Sequence, residues 1–298
     1  GEVDFVREST ALVKLPLYKE NEEKAGIRAQ LMDNHVDPSC FYLNLTYADD
    51  TWRKIVNDVR FRQAVMYSIN YQEIIEQIYY GFAQVPKLVP AEYNPDKANQ
   101  LLDEIGLSER DADGYRIGPD GKTFVIAIEH AAHAPDISPA AELVSQHLKA
   151  VGLKAPVKQI DPQLWGTRIA ANEIQATFIW DVQPMWADNT WTDYVPNNQW
   201  APLWSLWFTS DGKEGEEPPA AAKELFDILG GRNQAIPYSE EDLKLRDALY
   251  RNYAENIWIF PLAEKVNYAM VVSQKLGNIP QSGQAIGADY SMEQFFFK

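Results

Sequence analysis

The chain has 298 residues, 46% of them hydrophobic and 23% charged, a balance that supports a large folded core and excludes a miniprotein or a wholly disordered chain. Its 27 Lys and Arg against 43 Asp and Glu leave a net charge of -16, a field that repels phosphate backbones and anionic bilayers and so excludes nucleic acid as a partner. A single cysteine, Cys40, excludes an internal disulfide and a thiolate-rich metal cluster, and no run nears the roughly 18 apolar residues of a membrane span.

The opening residues, Gly1-Glu2-Val3-Asp4-Phe5, lack the basic segment and apolar core of a secretory signal, so the chain reads either as cytoplasmic or as lacking its beginning. Asn70 and Glu73 form a capping box that predicts a helix over 71–80. Asn94 caps the next helix, Pro95 fits its first turn, Gly106 ends it, and Ala98, Leu101, Leu102 and Ile105 give it one apolar stripe. The turn Pro119-Asp120-Gly121 joins Tyr115-Arg116-Ile117 to a following strand as a hairpin. Short apolar runs at 124–128, 157–160 and 176–180 predict buried strands. Between them Ser138-Pro139 opens a helix that Gly152 closes, and Asp161-Pro162 opens one carrying Leu164, Trp165 and Ile169. Strand, helix, strand, helix, strand from 123 to 181 predicts an α/β fold with a parallel sheet and right-handed crossovers. After Asp181 the texture changes: Trp186, Trp191, Trp200, Trp204 and Trp207 are spread through a segment rich in Pro, Asn and Asp that reads as a long functional loop. Pro218-Pro219 introduces a helix over 220–229 stopped by Gly230-Gly231, Ser239 caps a long helix to about Asn256, and a strand-like run covers 257–272.

Catalytic and nucleotide-binding labels are missing from the sequence: it has no nucleophile elbow, no dinucleotide-type glycine motif and no phosphate loop. His130 and His133, beside Glu129, stand where a strand leaves the sheet toward Pro135. Their spacing does not suit a helical zinc pair, and the expectation is a solvated loop with no metal. Asp181, Asp188 and Asp193 are the carboxylates set among aromatics, where ligand hydrogen bonding or solvation accounts for them as well as acid/base catalysis does. The tryptophans carry the most information. Indole faces stack on sugar rings and other flat or partly apolar solutes while Asp, Asn and Gln bond the hydroxyls, and about half of these tryptophans are expected to pack in the core instead.

The segment Asp58-Val59-Arg60-Phe61-Arg62-Gln63-Ala64-Val65-Met66-Tyr67-Ser68-Ile69-Asn70 resembles a signature of the family 5 solute-binding proteins, the group that contains dipeptide-, oligopeptide- and nickel-binding receptors. Phe41-Tyr42-Leu43-Asn44-Leu45 fits the strand that precedes that signature. Gly81-Phe82-Ala83, the Tyr93-Asn94-Pro95-Asp96-Lys97-Ala98 helix start, Asp113-Gly114 and Gly121-Lys122 fit the family's pattern downstream of it. The resemblance covers nearly the whole chain and aligns with the carboxy-terminal half of such receptors. Tyr71 departs from it, since the family commonly has Arg there.

The resemblance implies a type II periplasmic-binding-protein-like lobe with a mixed, largely parallel sheet flanked by helices. Residues 1–43 would return from lobe one, 44–259 would form lobe two, and 260–298 would return to lobe one, with Asn44, Leu45, Phe260 and Pro261 as hinge positions. It further implies a monomeric receptor without cofactor or catalysis, periplasmic or extracellular, with room for a membrane anchor in the full-length protein, that delivers a small solute to the permease of an ABC importer. Peptide receptors of the family resemble one another in a Gly-Trp-x-x-Asp stretch, and Pro184 stands at the position of that Asp. The segments Trp204-Ser205-Leu206-Trp207, Ser210-Asp211-Gly212-Lys213 and Ala254-Glu255-Asn256-Ile257-Trp258 look like a subgroup that includes oligosaccharide receptors, so an oligosaccharide or glycoside is the first choice of ligand. Trp180, Trp186 and Trp191 are then expected to stack on it, and Asp181, Gln183, Asp188 and Asn189 to bond it. A peptide receptor in which Asp181 or Asp188 pairs with the peptide amine, and a carbohydrate-active enzyme, are the alternatives.

Overall fold

The computed structural model describes residues 2–6, 10, 12–32, 38–180, 194–281 and 294–298. Strand β1 (Phe5–Val6), a 3-10 turn (Leu12–Lys14), helices α1 (Leu15–Glu20) and α2 (Glu22–Ala25) and strand β2 (Ile27–Met32) come first. Strand β3 (Ser39–Leu43) leads into α3 (Asp50–Val56), α4 (Val59–Ser68), α5 (Tyr71–Gln77) and α6 (Pro95–Glu104). Then β4 (Ile128–His130), α7 (Ile137–Ala150), β5 (Val157–Gln159), α8 (Pro162–Ala170) and β6 (Ala176–Trp180) alternate. Helices α9 (Pro202–Thr209), α10 (Ala220–Gln234) and α11 (Glu240–Asn256) precede β7 (Phe260–Pro261), β8 (Tyr268–Ser273), β9 (Leu276–Gly277) and β10 (Phe296–Phe297).

The described strands form a five-stranded sheet in the order β5-β4-β6-β3-β7, a separate three-stranded sheet in the order β1-β8-β2 and a two-stranded pair of β9 with β10. In the larger sheet β4 runs parallel to β5 and β6, as the strand and helix alternation predicts, while β3 is antiparallel to both β6 and β7. Pro261, which has no N–H to give, sits in the edge strand β7, where proline is tolerated. Both faces of the sheet are covered. Phe41 on β3 stacks on Phe178 of the central strand β6 at 4.8 Å and tilts against Phe260 of β7 at 5.6 Å between ring centroids, tying three strands into one core. The expected strand at 124–128 begins as extended chain bonded to its neighbours, with Phe124 N–H on the Arg116 carbonyl and Ile126 N–H on that of Lys154, and joins the ladder only at Ile128. Phe124 faces inward and stacks on Trp52 at 5.7 Å.

Side-chain caps set several helix starts. Asn94 Oδ1 accepts from Lys97 N, Asp161 Oδ1 from Gln163 N and Leu164 N, and Ser239 Oγ from Asp242 N. At α5 the capping box is altered. Asn70 Oδ1 accepts from Glu73 N, but Asn70 N–H goes to His147 Nδ1 at 3.4 Å, and Glu73 Oε2 meets His147 Nε2 at 3.0 Å, so His147 on α7 stands between the two halves of the box. Helix α10 does not stop at Gly230-Gly231; it runs through both to Gln234. A Cβ on Gly231 would lie 3.0 Å from Leu245 Cδ1, so the glycine serves the close approach of α10 to α11. The run 257–272 is also not one strand. Ile257 ends α11 in the left-handed region at φ 48°, and β7 and β8 join different sheets.

The passage between the sheets lies earlier than expected. Strand β3 pairs wholly within the five-stranded sheet, so residues 39–43 belong with the larger body and the chain passes between Met32 and Ser39. Asn44 and Leu45 stand at the far end of β3 from that passage, and they are fixed there. Asn44 Nδ2 donates to Asn172 Oδ1 and to the Ile174 carbonyl, Asn44 N to the Gln175 carbonyl and Leu45 N to the Trp200 carbonyl. Both residues are buried, and their bonds lock one end of the sheet instead of letting it turn. Phe260 and Pro261 form β7, Leu262 N bonds the Ser39 carbonyl, and the chain next enters the small sheet at Tyr268.

Candidate functional site

The parallel strands β4, β5 and β6 all end at one edge of the sheet, level with Ser39, which pairs with Trp180. In open α/β sheets, ligands bind at such carboxyl-terminal edges because loops diverge there and leave a crevice. Trp180, the last residue of β6, is 40% exposed, an unusual state for an indole, while Tyr42 OH donates to its carbonyl at 3.0 Å and fixes the backbone beneath it. Beside it, the His133 ring lies 5.7 Å from the Trp180 ring and 5.1 Å, edge to face, from that of Trp165 on α8. Trp165 is held in turn: its Nε1 donates to Thr177 Oγ1 at 2.9 Å, and Thr177 Oγ1 donates to the Glu129 carbonyl at 2.8 Å. The result is an aromatic wall of Trp165, His133 and Trp180.

His130 does not belong to a solvated loop, whereas His133 lies partly exposed in the loop after β4. His130 is 1% exposed, and neither its Nδ1 nor His133 Nε2 has a hydrogen-bond partner among the described residues. Burial pushes the His130 imidazole below its ordinary value, so it is neutral at pH 7. Sequence spacing pointed away from a helical metal pair, and among the described residues no group of three His, Cys, Asp or Glu could hold a metal ion. Burial was not legible from spacing, because α7 and α8 close over the end of β4 only in the folded chain. His133 and Trp165 were therefore missed as wall residues. The signal that finds them is their place just past the end of β4 and on the helix before β6.

Below the wall a polar brace ties the passage between sheets to the site. Asp136, at the start of α7, accepts through Oδ2 from Ser39 Oγ and from Tyr79 OH, each at 2.9 Å, and Ser39 N donates to the Tyr79 oxygen at 3.0 Å. Burial, with the Asp136 carboxylate next to it, holds the Tyr79 phenol far above its usual range and therefore protonated. Glu129 is neutralised by Arg168 and by Lys158 at 3.9 Å. Among the described residues this edge presents flat aromatic surface, with Glu129 ion-paired and the Asp136 carboxylate held by two hydroxyl donors. Of the expected ligand contacts, Trp180 stands in this wall, whereas Asp181, Gln183, Trp186, Asp188, Asn189 and Trp191 lie outside the described residues. Trp200, Trp204 and Trp258 are core residues: Trp200 stacks on Trp258 at 5.5 Å, and Trp204 meets both edge to face.

A mixed sheet flanked by helices, with a partly exposed indole at its carboxyl-terminal edge and a second small sheet, defines a periplasmic-binding-protein-like fold, and solved structures agree. The oligopeptide-binding protein OppA matches at TM-score 0.72 and 23% identity over 100% of this chain and 53% of its own. The periplasmic binding protein MelB of Agrobacterium fabrum C58, in complex with stachyose, matches at 0.73 and 18% over 93% of this chain and 45% of its own. The mannohexaose-bound periplasmic oligopeptide-binding protein of Thermotoga maritima matches at 0.66 and 18% over 94% and 53%. The chain thus spans about half the length of these proteins, and at such identities the likeness shows the fold. No curated protein sequence matches this chain. The model of the bacterial extracellular solute-binding proteins, family 5 middle, matches residues 1–202, and the chain belongs to that family. No helix among the described residues is long and apolar enough to cross a membrane.

Proposed function

We propose that this chain supplies one lobe, with part of the other, of an extracytoplasmic solute receptor that captures an oligosaccharide or glycoside and delivers it to the permease of an ABC importer. The observation that carries the reading is the aromatic wall at the sheet edge, where a partly exposed indole at Trp180 packs beside His133 and Trp165. Exposed aromatic stacking area suits the apolar face of a polyhydroxylated ring. Two similar structures hold stachyose and mannohexaose, which supports the sugar class. Trp186 and Trp191 would extend the stacking surface, with Asp181, Gln183, Asp188 and Asn189 bonding hydroxyls.

Capture works by closure of two lobes, which buries the ligand and creates the surface the permease reads. The hinge is assigned to the two passages between the sheets, from Met32 to Ser39 and from Pro261 to Tyr268, with Phe260 and Pro261 at its border. The solute is bound without being transformed. A thermal-shift screen of stachyose, mannohexaose and other oligosaccharides against short peptides, with mass spectrometry of the bound solute, tests this. Shifts with sugars, and intact sugar recovered, support the proposal. A response confined to peptides would make it a peptide receptor, and recovery of cleaved glycoside would make it an enzyme.

A further inference from the structure

A cavity lies at the end of the larger sheet opposite Trp180. It measures about 590 Å³, within the range of small-molecule sites, and its walls come from the α3–α4 junction, α9, the segment before α10 and the end of α11. Trp52 Nε1 bonds the Asn44 carbonyl and Asn57 Nδ2 that of Leu45, which places this cavity past the Leu43 end of β3, whereas Trp180 stands at the Ser39 end. A five-residue strand, roughly 16 Å, separates the two.

Arg62 is the unusual member of this cavity. Its side chain is 3% exposed, and its guanidinium carbon lies 5.1 Å from the centre of the Trp258 ring. Nε donates to the Asn256 carbonyl at 2.8 Å and Nη1 to the Val56 carbonyl at 2.7 Å, Nη2 has no protein acceptor among the described residues, and the residue lines the cavity. Among the described residues no carboxylate pairs with this cation. The nearby acid Asp58 is held by Arg60 through both oxygens. Glu217, also on the cavity wall, is paired with Lys223. Burial lowers the guanidinium to about 10, yet it remains charged at pH 7. A buried cation bonded only to neutral carbonyls leaves part of its field uncompensated, which favours an anionic partner with oxygens that can take the remaining N–H groups. The other lining residues set the shape of such a partner: Trp204 and Trp258 line it with aromatic edges, Pro218 and Pro219 with rigid apolar surface, and Asn57 and Asn256 with amides.

We infer that this cavity is a second ligand site, independent of the sheet-edge wall, that takes a small carboxylate carried on a planar apolar body, with the carboxylate on Arg62 and the ring between Trp204 and the prolines. The test is a titration of the whole chain with benzoate and indole-3-acetate against their neutral amides, read by calorimetry and by the indole N–H signals of Trp258 and Trp204. Saturable binding of the acids, at least about tenfold tighter than the amides as one charge-assisted contact implies, is expected. Arg62→Lys keeps the charge but loses the planar fork and should weaken binding about tenfold. Because Arg62 also braces two backbone carbonyls, Ala221→Phe provides a variant that fills the cavity without touching the cation, and it should abolish binding while the protein stays folded. Equal binding of acids and amides, binding unchanged in Ala221→Phe, or no saturation at about 10 mM acid would overturn the inference and leave Arg62 a structural residue solvated by water.

Discussion

Replacing Trp180 by alanine isolates the aromatic wall, because the indole is the wall member least committed to the core. An indole can bury roughly 250 Å², so the exposed two-fifths offers a ligand about 100 Å². At about 25 cal/mol per Å² its burial under a sugar ring is worth about 2.5 kcal/mol, or about sixtyfold in Kd. The cost to folding should be smaller, since the Trp180 ring packs on His133 at the surface end of β6, and the bond from Tyr42 OH goes to the Trp180 carbonyl, which alanine retains. Calorimetric titration with the best oligosaccharide from the screen, together with a melting curve, reads both quantities. A Kd change below about threefold in folded protein would remove Trp180 from the ligand surface. A collapse in melting temperature with normal binding by the remaining folded protein would make it a packing residue.

The buried polar groups set three further outcomes. His130 is held below its ordinary value near 6.5 by burial, so the unfolded chain takes up a proton that the folded one resists. Stability should therefore fall as pH drops below about 6.5, and His130→Gln should flatten that part of a urea-midpoint profile between pH 7.5 and 5; an unchanged slope would show that another group titrates there. Tyr79→Phe strips Ser39 N–H of its acceptor and Asp136 of a donor, and should cost about 1–3 kcal/mol in urea unfolding with no change in the denaturant slope. Asp242→Asn breaks a buried pair with Arg232 at 2.9 Å and should cost about 3–5 kcal/mol. The Arg232 hydrogen bond, then that from Tyr238 N, holds the Asp242 carboxyl below its ordinary value near 3.8, so its contribution is fully present above that pH and is lost as pH falls through the lowered value; the variant should lack this acid-side loss.

Local chemistry was legible from the sequence wherever it acts over a few residues. Caps at Asn94, Asp161 and Ser239 and the alternation from 123 to 181 marked the helices and the parallel half of the sheet, because a capping bond or an apolar stripe depends on neighbours three or four positions away. The motif at 58–70 likewise pointed to the family that the match over residues 1–202 bears out. Tertiary structure decided what depends on partners distant in the chain. Gly230-Gly231 looked like a stop but lies within α10, since Leu245 on α11 fills the space a side chain would take. His130 looked like a loop residue but is buried at the end of β4, and His133, in the loop that follows, packs against Trp165 and Trp180. Asn44 and Leu45 looked like a hinge but are bonded to residues more than 120 positions away, and Arg62, in the motif that marks the family, borders a cavity only because Trp204 and Trp258 fold back over it. Burial and unpaired charge are properties of packed neighbours, and a sequence specifies those neighbours only through the fold.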